Sequence, residues 1–350
     1  MIKIKPGALE YMEEDHNVVV LYDHMPPRKV SYIDFDFKSG KIYQNPDYNT
    51  VRDIIKKNQI TPAIVIADHY LSWPDFGYPI IHTGNFFIKM CKSFIELNSA
   101  KFEFNNQYNF TCMMNNEREQ RLLCSFWLFN NSNIAKKGFY TQSFKVNKLT
   151  AIRLKELTRN TSFEHFQREI LPPNWIDYKN NSPERYLDNV KGGNAEIFFS
   201  VLGKYFSAST FSIITEPTFW EKGCMITEKY LMSIYGKCIP IFSGSYGLPD
   251  ALKQLGFDIF DDVVDHSSQW ELHPGLRTLQ SLELNKDILL NNRIKKQDYI
   301  KRLNNNIEIV RDYKNLAKEI LLKFNNKKLL AEHSNLLNNL RSKGLLKKIT

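Results

Sequence analysis

Between Ser209 and Gly244 the chain spaces a carboxylate, a hydroxyl, a second carboxylate and an ammonium group in a way that suits the handling of an anion. Glu216 closes a short apolar, β-branched run, Ser209 to Thr215, the pattern of a buried strand that ends at a site. Thr227-Glu228-Lys229 opens a helical run through Tyr235, with Thr227 as N-cap and Gly236 as stop. Such a helix start offers backbone N–H donors, a hydroxyl and a cation that reaches a phosphate, while Glu228 can accept from ribose hydroxyls. This chemistry suits a nucleotide diphosphate.

The elements around these residues must bring them together. Cys238 to Phe242 predicts a second apolar strand closed by Ser243-Gly244. Leu248 to Leu255 predicts a helix ended by Gly256, and Phe257 to Val264 another strand. Strand, helix, strand, helix, strand with short connections is the signature of a doubly wound parallel sheet, whose ligands sit beyond the carboxyl ends of the strands. Glu216, Thr227, Glu228, Lys229, Ser243 and Gly244 all fall on that edge. Further upstream, Tyr108 to Met114 predicts a strand leading through a turn with Asn116, Arg118 and Arg121 into an apolar helix, Leu122 to Phe129. This is either a second anion site at a helix start or a solvated helix start with mixed charges.

A third group lies nearer the amino terminus. Pro62 to Ala67 predicts a buried strand ending in Asp68-His69-Tyr70, and the following loop carries Trp73, Asp75 and Tyr78. Carboxylate, imidazole and aromatics at a strand's carboxyl end make an acceptor pocket with a general base, or else an ordinary polar turn. Asp34-Phe35-Asp36 has the Asp-x-Asp form used elsewhere to hold a metal and a diphosphate. A metal site there requires a nucleotide-binding unit ahead of it, and only thirty-odd residues precede it; we read carboxylates on the wet face of a strand and no metal site.

The order carboxylate, loop, Thr-Glu-Lys helix, Gly, apolar strand with Pro-Ile and then Gly resembles the α-1,3-fucosyltransferases, glycosyltransferase family 10. The matching pieces are Glu216, Ile226-Thr227-Glu228-Lys229, Ile239-Pro240-Ile241 and Gly244, within a stretch of about fifty residues. The chain has Glu216-Pro217-Thr218 where the family usually has Glu-Asn-Ser, and a longer loop to Thr227. The resemblance implies an α/β fold of GT-B type: two Rossmann-like domains and here a helical, basic C-terminal tail. It further implies an inverting enzyme that moves a sugar, fucose by preference, from a GDP-sugar to a glycan hydroxyl. Glu216, Thr227, Glu228, Lys229 and Gly244 would bind the donor, with Arg121, or failing it Arg118, and Asn116 at the opening of the nucleotide domain. Asp68, with Asp75 and His69 as alternatives, would supply the base. No metal and no cofactor beyond the donor is then required, because Lys229 and Arg121 meet the charge of the diphosphate. The implied domains are 1–105 on the acceptor side, 106–290 for the donor, and 291–350 as C-terminal helices and tail.

Composition bounds these readings. At 350 residues, 43% hydrophobic and 13% aromatic, the chain is long enough for two domains, each with its own core. No apolar run reaches the roughly 18 residues that span a bilayer, and Met1 to Pro6 carry no signal-like region. We therefore expect a cytoplasmic or peripheral membrane protein without an amino-terminal anchor. Five widely spaced cysteines indicate neither a zinc site nor a disulfide framework. Residues 291–350 hold 15 of the 47 Lys and Arg and 5 of the 38 Asp and Glu, leaving the rest nearly neutral at 32 against 33. The tail from Leu329 to Ile349, with leucines among lysines, is where contact with an anionic membrane or a nucleic acid would localise. The rivals to a glycan-modifying enzyme are a viral or phage DNA-base glycosyltransferase and a non-catalytic nucleotide- or glycan-binding module. Helical spacing is also read over Val51–Asn58, Phe86–Ile95, Ala151–Thr158, Ser162–Ile170, Leu276–Leu290 and Ile294–Phe324.

Overall fold

A computed structural model of the chain describes residues 11–13, 18–21, 35–36, 41–42, 64–67, 70–72, 80–97, 102, 105–114, 119–142, 194–216, 224–244, 246–332 and 334. The chain divides into two compact units: Met1–Lys89 with Trp220–Ile226 and Asp312–Thr350, and Met90–Phe219 with Thr227–Arg311. The protein is α/β.

In the second unit a four-stranded, all-parallel sheet is built from β1 (Tyr108–Met114), β2 (Gly138–Gln142), β3 (Ser209–Thr215) and β4 (Ile239–Ser243), in the order β2-β1-β3-β4. β3 is buried along its whole length, its serines and threonines included, which is why it carries no charge and does not alternate between a buried and an exposed face. Helices α1 (Glu119–Asn130), α2 (Glu228–Tyr235), α3 (Leu248–Gln254), α4 (Pro274–Leu284) and α5 (Ile300–Arg311) surround it. The chain steps from β1 to β2 through α1, and in the opposite direction from β3 to β4 through α2. Right-handed crossovers then place α1 and α2 on opposite faces. Side-chain alternation agrees: Phe242 of β4 meets the Tyr230 ring of α2 at 5.6 Å, so Ser243 points to the other face. On that face α4 packs against α1, and the buried Trp127 donates its indole N–H to Glu283 at 2.6 Å.

β2 was not visible in the sequence. Its five residues, GFYTQ, are short and mixed in polarity, and the strand is fixed by a non-local fit. The ring of Phe110 lies so close to Gly138 that a Cβ there would stand 2.2 Å from it. Conversely, Phe257 to Val264 is not a strand. Phe260 has a positive φ of 59°, and the backbone of Asp258 is taken by the Asn306 side chain on α5. Asn306 accepts from the Asp258 N–H and donates to its carbonyl, both at 2.8 Å, so this segment's pairing groups are used by an amide rather than by β4. Ala195 to Phe206 is helical, with a π turn over Phe198–Leu202.

The first unit holds a sheet in the order Tyr11–Glu13, Val18–Leu21, Ile64–Ala67, Ile80–His82, its first pair antiparallel and the others parallel. The helix Tyr313–Lys323 packs on the last of these strands. Asn325, just beyond it, accepts from the His82 N–H at 2.6 Å and donates to its carbonyl at 2.8 Å. The helices read over Val51–Asn58, Ala151–Thr158 and Ser162–Ile170 lie outside the described residues, as does most of the basic tail. No helix among the described residues is long and apolar enough to cross a membrane.

Candidate functional site

The strand order puts a topological switch point between the carboxyl ends of β1 and β3, where the chain leaves in opposite directions, the place at which doubly wound sheets form a crevice for ligands. α1 starts on one side of it, and Glu216 and the start of α2 stand on the other. Gln120, in the first turn of α1, donates its side-chain amide to the Glu216 carbonyl across this gap.

Glu216 follows the last residue of β3 and is 1% exposed. One carboxylate oxygen accepts from the Thr227 N–H at 3.0 Å and the other from the Thr227 hydroxyl. Both oxygens thus serve to hold the residue that caps α2. Thr227 accepts in turn from the Lys229 N–H at 3.4 Å, so its hydroxyl is committed as a donor to Glu216 and as an acceptor to the helix. Lys229 directs its ammonium group to Glu228 at 3.1 Å and to Thr227 Oγ1 at 3.5 Å. That uses two of its three donors.

Electrostatics ties these groups into one cluster. Burial pushes the Glu216 carboxyl up to about 6, against the opposing pull of Lys229 and the Thr227 hydrogen bond. For Glu228 burial also acts upward, but the charge and hydrogen bond of Lys229, aided by Arg121, outweigh it and hold this carboxyl below its usual value. Arg121, 4% exposed in the first turn of α1, therefore acts on the first residue of α2 from across the crevice. Two helix starts, two cations and a ribose-competent carboxylate meet at the switch point. The arrangement can take an anion with several oxygens.

Gly244 ends β4 with a φ of 104°, a conformation that favours glycine. Its carbonyl accepts from Arg277 Nε at 2.7 Å, and Arg277 Nη1 reaches the Glu271 carbonyl at 2.6 Å. Arg277 is 2% exposed, sits 5.5 Å from the centre of the Tyr246 ring, and burial lowers its guanidinium to about 10. Sequence reasoning did not single out Arg277. The available signal was a cation in the first turn of a helical run whose leucines recur at helical spacing. Gln120 was missed as well, because its partner, the Glu216 carbonyl, lies 96 residues away.

Of the residues picked out by type and spacing, the structure gathers Arg121, Glu216, Thr227, Glu228 and Lys229 at one edge, with Gly244 at the end of the neighbouring strand. Asp68, His69, Asp75, Asn116 and Arg118 lie outside the described residues, as does Asp34 of the Asp-x-Asp run. Among the described residues no group of three or more His, Cys, Asp or Glu side chains is placed to hold a metal ion. Comparison with protein-family models, with curated proteins and with solved structures finds no match.

Proposed function

We propose that this protein is an inverting glycosyltransferase of GT-B type that moves a sugar, fucose by preference, from a GDP-sugar to a glycan hydroxyl. One observation carries the reading: Arg121, Glu228 and Lys229 converge on the switch point of a parallel sheet, each in the first turn of a helix that starts there. A diphosphate laid across the two helix starts meets both cations, and Glu228 stands within the same cluster to accept from ribose. The resemblance of this stretch to the α-1,3-fucosyltransferases supports the choice of donor. The division of the chain into two compact units, with Asp312–Thr350 joining the first, supports the two-domain form.

In this reading the acceptor hydroxyl attacks the anomeric carbon as the bond from that carbon to the diphosphate oxygen breaks. Asp68, or Asp75 or His69 in its place, takes the hydroxyl proton, a contribution of roughly 10²–10⁴-fold. Lys229 and Arg121 stabilise the negative charge that grows on the departing GDP. Titration calorimetry with GDP and GDP-fucose, followed by mass spectrometry of lactosamine and DNA acceptors incubated with the donor, tests the proposal. We expect GDP binding and a mass gain of one deoxyhexose on the glycan alone. A gain on DNA would shift the acceptor to a nucleobase, nucleotide binding without transfer would reduce the protein to a binding module, and no nucleotide binding would remove the reading.

A further inference from the structure

Three buried side-chain atoms at the carboxyl edge have no hydrogen-bond partner among the described residues: Gln120 Oε1, Ser243 Oγ and Thr278 Oγ1. All three residues are 0% exposed. Native proteins rarely leave buried polar atoms unpaired, and each such atom calls for a physical reason. These three also come from three separate elements, α1, β4 and α4, that share one face of the sheet. Strand alternation turns Ser243 toward the face that α1 and α4 cover.

Gly244 marks where they meet. A Cβ placed on it would stand 3.2 Å from Gln120 Cβ and 3.2 Å from Thr278 Oγ1, tighter than ordinary contact. The absence of a side chain lets the end of the strand pass this close to Thr278 Oγ1, at the edge where a ligand would lie. Arg277, beside Thr278 on α4, fixes the Gly244 carbonyl and so holds this turn against α4.

The donor and acceptor types say what fits. The Gln120 amide nitrogen is committed to the Glu216 carbonyl, which turns Oε1 the other way as an acceptor only. Ser243 and Thr278 each hold a hydroxyl that can give or take a proton. A bare phosphate oxygen satisfies the two hydroxyls but not Gln120. An alcohol satisfies all three, since it donates to Gln120 Oε1 and accepts from a serine or threonine hydroxyl.

We propose that Gln120, Ser243 and Thr278 form a socket for one hydroxyl group of the ligand bound at the carboxyl edge, with Gly244 packed between Gln120 and Thr278. The proposal rests on the reading of that edge as a nucleotide-sugar site, and the hydroxyl comes either from the ribose or from the transferred sugar.

Unpaired buried hydroxyls cost stability in the ligand-free protein, so their removal has opposite effects on folding and on binding. Thr278→Val, which keeps the shape, and separately Ser243→Ala are compared with wild type by thermal melting without ligand and by titration calorimetry with GDP and with GDP-fucose. We expect each variant to melt at or above the wild-type temperature and to bind about five- to tenfold more weakly. Loss for both ligands assigns the ribose; loss for GDP-fucose alone assigns the transferred sugar. Thr278→Ser, which restores the hydroxyl, should recover the affinity. Unchanged affinity in both variants would make these atoms a site for ordered water only and overturn the socket while leaving the nucleotide-sugar reading in place. A wild-type protein that binds neither ligand removes both. Should one variant fail to fold, the other with the Thr278→Ser control decides the matter.

Discussion

The two ends of the parallel sheet each hold a lysine, buried at one end and half-buried at the other, and they use it in opposite ways. At the amino edge Lys296, 3% exposed, donates to the carbonyls of Ser207, Ser209 and Gly236 at 2.9 Å and of Phe206 at 3.3 Å. These carbonyls belong to the end of the helix Gly203–Ser207, the start of β3 and the C-cap of α2, where helix dipoles favour a cation. At the carboxyl edge Lys229 faces helix starts, where the dipole favours an anion. There it shares its charge with Glu228, and at the same edge Gln120 Oε1, Ser243 Oγ and Thr278 Oγ1 have no partner among the described residues. The saturated cation holds the fold together. The other spends two of its three N–H groups on Glu228 and Thr227 beside a helix start.

The comparison is sharpened first by removing the saturated charge. Lys296→Met leaves buried carbonyls without a donor, and we expect it to lower unfolding free energy by about 3 kcal/mol or more. Urea titration measures this. GDP affinity of the folded fraction should match wild type. A variant as stable as wild type would mean that water reaches the amino edge, and the contrast between the ends would fail.

Lys229→Ala should show the reverse pattern. Loss of a charge-assisted bond to phosphate weakens GDP binding by roughly 1.5–3 kcal/mol, read by calorimetry. Stability should fall by about 1 kcal/mol, mostly from leaving Glu228 without its partner. An unchanged affinity for GDP would place the diphosphate elsewhere and remove the functional half of the comparison.

What was legible in the sequence follows the same division between local and distant causes. β1, β3 and β4 are short runs of apolar and uncharged residues, and α2 is bracketed by a cap and a stop, Thr227 and Gly236, so their places could be read directly. The anion-suited cluster was legible because its members sit at strand ends and helix starts. β2 was not, because its place depends on a ring 28 residues away lying over Gly138. The false strand at Phe257 to Val264 had the right apolar pattern, but pattern cannot show that a distant asparagine occupies its backbone. Asn285 does the same to Asp265, accepting from its N–H at 2.9 Å and donating to its carbonyl at 2.8 Å, and Asn325 to His82. In a chain so rich in asparagine, these three amides act as one-residue strand partners, and nothing local distinguishes them from the rest. Arg277 and Gln120 escaped for the same reason, since each is defined by a carbonyl far along the chain.

A third prediction concerns the cost of building the carboxyl edge. Glu216 titrates near 6 in the folded protein against an ordinary value of 4.5. The folded chain therefore binds the proton more tightly than the unfolded chain does, and between these two values it carries more protons. Stability then falls as pH rises through this window, with the group's full contribution present below about 4.5 and lost above about 6. The size is on the order of 2 kcal/mol. Glu228 is shifted the other way, and its contribution is lost only as pH drops below its ordinary value, so the two do not overlap. Glu216→Gln keeps the shape and an acceptor for the Thr227 N–H while removing the charge. Urea unfolding of both proteins at intervals from pH 4.5 to 7 should give curves that diverge through the window, the wild type losing stability relative to the variant. Everything else that titrates is common to both proteins and cancels in the difference. Parallel curves would mean that the Lys229 charge and the two Thr227 hydrogen bonds offset the whole cost of burying the ionised carboxylate. Divergence would show that the ionised carboxylate is kept at neutral pH at the expense of the fold, as expected of a group that holds Thr227 and the start of α2 in register for a ligand.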